Sequence, residues 1–326
     1  MFICPMDKLV VMLRAAGDPT RLRLLLLLRQ AELTVSELVD IVGQSQPRVS
    51  RHLKLLTEAG LIDRFKEGSW VFYRACDRGP GADLGQAIDA IAAPDEQEND
   101  RKRLAAVREA RAAQAAAFFK ANAAEWERIR ALHAPDKDVE AAIVRQIAAH
   151  PMDSLLDAGT GTGSMLELLA PHVKRAVGVD VSPDMLAIAR DRLARAHINH
   201  AQVRLGDTYR LPFPNGNGIS GFDAVLFHQV LHFLDDPQAA VIEAARVMRE
   251  GGRLLIADFA PHDLEFLRTD FAHRRLGFSD REVQGWFAAA GLTPVASEAI
   301  SGSAKDKLTV KLWLAQSASN QKAKAA

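Results

Sequence analysis

An apolar run that ends in a glycine-rich loop, residues 154–163 (SLLDAGTGTG), constrains the fold of this 326-residue chain more than any other feature. The residues after the loop, SMLELLA, have the apolar spacing of a helix, so the segment predicts a strand, a loop and a helix in succession. Glycines let the backbone of such a loop approach a ligand without a Cβ clash. A second apolar run, RAVGVDV, reaches Asp180, a carboxylate placed to accept both hydroxyls of a ribose.

Apolar runs alternate with helical patterns from residue 135 onward: SLLDAG, RAVGVDV, AQVRLGD, FDAVLFHQV and GRLLIADF. This alternation is typical of a mostly parallel sheet with helices on both faces. We therefore predict a Rossmann-like α/β domain over residues 135–316, followed by a disordered tail at 317–326.

The sequence of the glycine loop also distinguishes between two classes of cofactor, those with and those without a pyrophosphate. The pyrophosphate-binding fingerprint of dinucleotide sites is G-x-G-x-x-G. This loop reads GTGTGS, with no glycine three residues after Gly161. The pattern favours a ligand without phosphates.

The segment ELTVSELVDIVGQSQPRVSRHLKLLTEAGLIDRFKEGSWVFYRA, residues 32–75, predicts a winged helix-turn-helix. Thr34 or Ser36 can cap the first helix, and Gly43 can end it. Ser45 can open the second helix, which has a proline in its first turn, where proline is tolerated. Two short strands joined at Glu67–Gly68 then form the wing.

The second of these helices, residues 46–58, has the composition of a recognition helix. Val49, Leu53 and Leu56 fall on its buried face, and polar or basic residues fall on the other. The whole chain has no net charge, with 41 basic and 41 acidic residues, yet residues 44–74 carry six basic and three acidic ones. This local excess predicts binding to double-stranded DNA. The candidate DNA-binding residues are Gln44, Ser45, Gln46, Arg48, Val49, Ser50, Arg51, Lys54, Arg64 and Lys66.

Residues 5–80, through AAGDPTRLRLLLLL, the helix-turn-helix and the wing, resemble the ArsR/SmtB winged-helix repressors. The resemblance implies a homodimer formed by helices at the two ends of the domain. Metal-sensing members have Cys-x-Cys where this chain has Thr34-Val35-Ser36, so we expect no metal site there. Cys4 and Cys76 are either incidental or a redox pair formed in the dimer.

Residues 153–260 resemble the class I S-adenosylmethionine (SAM)-dependent methyltransferases of the quinone-biosynthesis type, through GDTYRLPF, FDAVLFHQVLHFLDDP and VMREGGRLLIADF. The resemblance implies that the glycine loop holds the methionine end of SAM, Asp180 the ribose, and Met185 and Asp207 the adenine. Residues 227–229 would line the pocket near the sulfonium. The candidate cofactor residues are Asp157, Gly159, Thr160, Gly161, Gly163, Asp180, Val181, Met185, Gly206, Asp207, Thr208, Phe227, His228 and Gln229.

Methyl transfer is an in-line displacement, for which the protein supplies positioning and, for an oxygen or nitrogen acceptor, a base. Residues 257–287, a segment rich in His and Arg, are the expected lid or acceptor site, either binding an anionic acceptor or forming a solvated helical face. Arsenite methylation requires several thiolates, and residues 135–316 contain no cysteine. The candidate bases are His228, His232, His262 and His273.

Residues 95–134 lack glycine and proline and are rich in Ala, Arg and Glu, so they predict one long exposed helix within a linker at 93–134, after a winged-helix domain at 1–92. We expect a cytoplasmic protein, because no apolar run approaches the length of about 20 residues that spans a membrane. Three functions remain open. They are a DNA-binding regulator joined to an active small-molecule methyltransferase, a repressor that senses SAM or S-adenosylhomocysteine (SAH), and an enzyme whose winged helix only dimerises.

Overall fold

The computed structural model describes residues 5–67, 70–76, 79–91, 98–122, 136–148, 152–216, 221–301 and 308–318. The chain divides into two compact units, residues 1–114 and 115–326. No helix in the described ranges is both long and apolar enough to cross a membrane. The predicted boundaries at 92, 134 and 316 remain predictions, and residues 319–326 of the predicted tail lie outside the description.

Unit 1 contains the predicted winged helix-turn-helix, with a short three-stranded antiparallel sheet in the order β1-β3-β2. Glu67 pairs with Trp70 across the wing, so the connection is residues 68–69, one position later than expected. The elements are α1 (Pro5–Ala16), α2 (Pro19–Gln30), β1 (Leu33–Thr34), α3 (Val35–Val42), α4 (Gln46–Glu58), β2 (Ile62–Glu67), β3 (Trp70–Ala75), α5 (Gly79–Ile91) and α6 (Glu98–Asn122), which extends beyond residue 114.

Local signals in the sequence set the bounds of α3 and α4. Thr34, rather than Ser36, caps α3, and its hydroxyl and the Glu37 carboxylate form a reciprocal capping box. Gly43 ends α3 with a φ of +69°, a conformation that glycine adopts without steric cost. Ser45 precedes α4, although its side chain makes no capping hydrogen bond.

The first part of α6 packs on the winged helix, which corrects the expectation that this helix is exposed. Leu104 is buried in the core of unit 1, and the buried Asp100 carboxylate accepts two hydrogen bonds from the Arg23 guanidinium, at 2.7 and 2.6 Å. The physical reason is that Asp100 and Leu104, four residues apart, lie on the same face of α6. Asp100 pairs with Arg23, and Leu104 packs in the core of unit 1. Residues 95–97 and 123–134 of the predicted helix lie outside the described residues.

Unit 2 is a seven-stranded sheet in the order β6-β5-β4-β7-β8-β10-β9, flanked by helices. The first five strands of that order pair in parallel, as predicted, whereas β10 pairs antiparallel with β8 and β9. The elements are α7 (Asp136–Ala148), β4 (Ser154–Ala158), α8 (Ser164–Leu169), β5 (Arg175–Asp180), α9 (Pro183–Arg195), β6 (Ala201–Leu205), β7 (Phe222–His228), α10 (Pro237–Val247), β8 (Met248–Phe259), α11 (Phe266–Asp270), α12 (Asp280–Ala289), β9 (Leu292–Ser301) and β10 (Thr309–Ser317).

The strand order reverses between β4 and β7, because β5 and β6 extend the sheet on one side and β7 and β8 on the other. Ligands of open α/β sheets bind in the crevice outside the carboxyl ends of the strands at such a reversal. Asp157, Asp180, His228 and Asp258 all lie at this edge, each at or near the end of its strand.

Candidate functional site

The glycine loop between β4 and α8 has the backbone that its composition predicts. Gly159 and Gly163 have φ angles of +78° and +77°. A Cβ on Gly159 would lie 2.4 Å from Cγ2 of Val230, and one on Gly163 would lie 2.9 Å from Cβ of Ala189. Both positions therefore require glycine for conformation and for space, and Val230 places the segment after β7 directly against the loop.

Two carboxylates hold the loop in place. The buried Asp157 accepts a hydrogen bond from the Thr160 hydroxyl at 2.6 Å. Asp180 accepts one from the backbone N–H of Gly161 at 2.8 Å and another from Ser182 N–H at 2.9 Å. Burial raises the pKa of Asp180 above its usual range, despite these hydrogen bonds to the charged form. A carboxylate oxygen accepts more than one hydrogen bond, so Asp180 keeps acceptor capacity for a ligand.

The residues predicted to surround an adenine begin at the ends of β5 and β6. Gly206 N–H donates to the carbonyl of Asp180 at 3.0 Å, which brings these two strand ends together. Met185 is buried in the first turn of α9, whereas Val181 is exposed. Asp207 is exposed and accepts from Tyr209 N–H at 2.9 Å, beside the buried Thr208.

Gln229, directly after β7, has a strained backbone and a side-chain amide with unsatisfied hydrogen bonds. Its φ is +52°, which is uncommon for a residue other than glycine, and its side chain is 4 % exposed. Both polar atoms of its amide are buried without a hydrogen-bond partner among the described residues, although its backbone N–H donates to the Ala257 carbonyl at 2.8 Å. An unsatisfied buried polar group costs about 1–3 kcal/mol. Strain and unmet hydrogen bonding at one residue of the crevice, beside the buried Phe227 and His228, indicate a ligand site.

A buried His–Asp pair lies three residues further along the chain. His232 Nδ1 and Asp258 Oδ1 are 2.6 Å apart, and the two residues are 2 % and 0 % exposed. Asp258 also accepts from the backbone N–H groups of Leu231 at 3.0 Å and Phe259 at 2.8 Å, which fixes its carboxylate. Asp258 was not among the residues predicted from the sequence. The signal was present, because GRLLIADF brings a carboxylate to a strand end as SLLDAG and RAVGVDV do.

Two further histidines surround this pair. The His273 ring lies 4.1 Å from the His232 ring, and both contact Phe259, at centroid distances of 5.7 and 5.0 Å. His262 meets the same phenyl ring edge-on at 5.9 Å. Burial, together with the neighbouring His232, lowers the pKa of His262 to about 4. His232, His262 and His273 therefore form one cluster, whereas His228 lies at the end of β7.

Three arginines of the predicted lid segment, Arg268, Arg274 and Arg275, have carboxylate neighbours. Arg274 pairs with Asp235 at 2.9 Å and Arg275 with Glu282 at 3.0 Å. Arg268 lies 3.9 Å from Glu265, in the short helix α11. The side chains of Arg268 and Arg275 are largely buried, so the expectation of a solvated helical face is wrong for them. Their neighbouring carboxylates offset the positive charge that an anionic acceptor would need.

The recognition helix α4 presents most of its predicted DNA-contacting residues to solvent. Ser45, Gln46, Arg48, Arg51 and Lys54 are exposed, as are Arg64 and Lys66 on the wing, while Gln44 and Ser50 are half-buried.

Two of the predicted DNA-binding residues need a correction or a refinement. Val49 is 0 % exposed because it lies on the same helical face as Leu53 and Leu56, so it packs the core of unit 1 and cannot reach a base. Gln44 donates from its amide to the Thr20 hydroxyl at 3.0 Å, which ties the turn before α4 to α2. Cys76 is half-buried with Sγ 3.4 Å from the Gly60 carbonyl, and Cys4 lies outside the described residues.

Comparison with known proteins assigns both units. A family model for the regulatory proteins of the bacterial arsR family matches residues 18–64, and one for a methyltransferase domain matches residues 156–256. The malonyl-[acyl-carrier protein] O-methyltransferase of Herminiimonas arsenicoxydans is 32% identical over 189 residues, which cover 56% of this chain and 67% of that enzyme. The chain belongs to the SAM-dependent methyltransferases and carries an ArsR-family regulatory domain.

Other curated relatives match over a smaller share of their own length. The demethylmenaquinone methyltransferase of Tropheryma whipplei is 36% identical over 108 residues, so this chain spans 42% of that enzyme. A chain from the solved complex between the Haloferax volcanii Trm112 methyltransferase activator and a methyltransferase is 22% identical, with a TM-score of 0.50, and covers 61% of this chain and 97% of its own length. This likeness establishes the fold of the methyltransferase domain.

SAM is the cofactor of this family, and the crevice of the methyltransferase domain fits it. Asp180 can accept from ribose hydroxyls, and the unsatisfied amide of Gln229 can meet a polar group. The individual contacts to SAM remain predictions.

Proposed function

We propose that this protein is a DNA-binding regulator of the ArsR type joined to an active methyltransferase that transfers a methyl group to a small-molecule acceptor. The observation that carries the proposal is the convergence of Asp180, the unsatisfied Gln229 and the His232–Asp258 pair at one edge of the sheet. Bound SAM supplies a methyl group activated by its sulfonium. The chain supplies hydrogen bonds for the cofactor, and a histidine in position to take a proton.

The exposed basic residues of α4 and the wing support operator binding by the ArsR-type domain. Arg48, Arg51 and Lys54 follow one another at helical spacing, so their side chains can neutralise phosphates on one side of a duplex. These features also argue against a winged helix that serves only for dimerisation.

Exposed apolar residues at the two ends of this domain support a homodimer. Met6 on α1 is 66 % exposed and Ile91 on α5 is 83 % exposed, and Leu9, Val11 and Leu13 on α1 are also exposed. An apolar helix face of this kind marks an interaction surface, and a second copy of the chain would cover it.

A second function, a repressor controlled by SAM or SAH, is favoured by the contacts of α6. Asp100 binds Arg23, whose guanidinium also donates to the Val42 carbonyl, and Arg103 donates to the Ile41 carbonyl at 2.9 Å. Both carbonyls belong to the last turn of α3, just before the turn that leads to α4. A shift of α6 would therefore act on the helix-turn-helix, and a ligand with different affinity for two positions of α6 would change DNA affinity.

One experiment separates these functions. The full-length protein is incubated with radiolabelled SAM and a small-molecule extract, and its affinity for a duplex from its own upstream region is measured with and without SAM or SAH. Labelled product in the extract supports the methyltransferase. A change in DNA affinity without any product selects the sensor, and absence of SAM binding refutes both.

A further inference from the structure

We infer that His232, oriented by Asp258, is the general base for methylation of an acceptor hydroxyl, and that His262 binds a second oxygen next to it. The acceptor is thus a planar ring with two neighbouring oxygen substituents, of which one becomes methylated. This inference rests on the methyltransferase function proposed above and names the acceptor class of the same site.

Asp258 imposes one tautomer on the neutral His232 ring. The carboxylate lies 2.6 Å from Nδ1 and is held by three backbone N–H groups, so the proton of the neutral ring is on Nδ1. The lone pair is then on Nε2, which has no hydrogen-bond partner among the described residues. A protonated ring formed during the reaction would be stabilised by the same carboxylate. This is the arrangement of a His–Asp general base.

The neutral His262 ring carries its proton on the other nitrogen, Nε2. Its Nδ1 accepts from Leu264 N–H at 3.2 Å, so the proton of the neutral ring is on Nε2. That Nε2–H is buried and has no partner in the part of the chain that the structure describes, and the lowered pKa keeps the ring neutral near neutral pH. The cluster therefore offers one acceptor, from His232, and one unused donor, from His262. A hydroxyl and an adjacent oxygen are the complementary pair.

Aromatic rings pack around His232, and the cluster lies next to the cofactor crevice. The rings of Phe233, Phe259 and His273 surround His232 at centroid distances of 4.1, 5.0 and 4.1 Å, which favours a flat apolar acceptor. The cluster adjoins the cofactor crevice, because Val230, two residues before His232, packs against Gly159 of the glycine loop.

The proposed step is balanced in atoms and charge. The acceptor hydroxyl gives its proton to Nε2 of His232, and its oxygen forms a bond to the methyl carbon. The bond between that carbon and sulfur breaks, and its electron pair stays on sulfur, giving neutral SAH. The positive charge of the sulfonium is thereby replaced by that of the protonated imidazole, which later releases its proton to water.

The test uses catechol, 4-nitrocatechol and phenol as probes with the full-length protein, and mass spectrometry to detect the methyl ethers. Nitrocatechol is largely ionised near neutral pH and does not need a base, whereas catechol does. We expect His232→Gln to lower kcat/KM for catechol about 100-fold or more and for nitrocatechol less than about 10-fold. Asp258→Asn, which changes a positioning residue, should show the same selective loss.

The role of His262 is tested by comparing catechol with phenol, which lacks the second oxygen. His262→Phe keeps a ring but removes the donor, so it should raise the KM for catechol about 3- to 10-fold and leave that for phenol unchanged. His200→Gln is the control, because this exposed histidine binds the Ala170 carbonyl away from the cluster, and it should match the wild type.

Equal losses with catechol and nitrocatechol, at unchanged SAM affinity and thermal stability, would overturn the role of His232. Wild-type protein that binds SAM and methylates compounds in an extract, but neither catechol, would overturn the acceptor class alone. Failure to bind SAM in calorimetry would instead refute the methyltransferase function on which the inference rests.

Discussion

Replacing Asp180 with asparagine is expected to weaken SAM binding strongly while changing the free energy of unfolding little. The carboxylate accepts from Gly161 and Ser182 N–H groups, and its remaining lone pairs are available for the predicted ribose hydroxyls. Asp180→Asn removes the charge and one acceptor oxygen, so one charge-assisted bond to a ribose hydroxyl is lost and the other is weakened. At about 1.5–3 kcal/mol for the first and about 1 kcal/mol for the second, the Kd for SAM should rise about 100- to 1000-fold.

Stability should change little, because two effects oppose each other. The amide weakens one hydrogen bond to the backbone, but it also removes a charge whose burial raises the pKa of Asp180. An acid with a raised pKa in the folded state stabilises the fold at low pH and loses that contribution as the pH rises, so the ionised group is a cost at neutral pH. The free energy of unfolding should therefore stay within about 1 kcal/mol of the wild type.

The assay is titration calorimetry with SAM, together with urea unfolding. Asp184→Asn, an exposed residue in the first turn of α9, serves as the matched control and should leave both quantities unchanged. The wild-type Kd should also rise as the pH falls, at a higher pH than an ordinary aspartate would require, while the Kd of Asp180→Asn stays flat. An Asp180→Asn variant that binds SAM within about threefold of the wild type would refute the ribose assignment.

Three predictions concern the ArsR-type domain. Arg51→Ala should weaken binding to the cognate duplex and reduce the slope of log K against log salt by about 1, with SAM affinity unchanged. Fluorescence anisotropy measures the slope, and an unaltered slope would contradict the phosphate contact. Thr34→Ala removes the cap of α3 and should cost about 1 kcal/mol in urea unfolding, whereas Ser36→Ala should cost nothing measurable. Asp100→Ala leaves Arg23 without its carboxylate and should cost about 2 kcal/mol; a neutral effect would show that α6 does not hold the domain.

Features that depend only on neighbouring residues in the chain were predictable from the sequence. The cap at Thr34, the helix end at Gly43 and the loop at Gly159 each follow from a short motif whose physics is local. Four of the parallel strands, β4, β5, β7 and β8, were equally clear because each contains a buried apolar run, whereas β6 is buried only at Ala201. The antiparallel edge formed by β9 and β10 was not predicted, since the exposed β9 lacks such a run.

Features that depend on distant residues were not predictable in the same way. His232 and Asp258 are 26 positions apart, and only the fold of the sheet brings them together. The sequence named His232 as one of four equivalent candidate bases, and the structure distinguishes it by its partner. The pairing of Arg23 with Asp100 spans 77 positions, which is why α6 was expected to be exposed.

The attachment of α6 determines where the DNA-binding part of this protein can be separated from the rest. A fragment that stops at residue 92 would lack the Asp100 carboxylate and the Leu104 side chain, which fills the core of unit 1. Such a fragment would expose apolar surface and leave the Arg23 guanidinium without its carboxylate. A fragment that ends at residue 114 retains both. The helix that follows the wing and α5 is therefore also a structural part of unit 1, so an insertion before Asp100 should disturb the proposed operator binding more than one after residue 122.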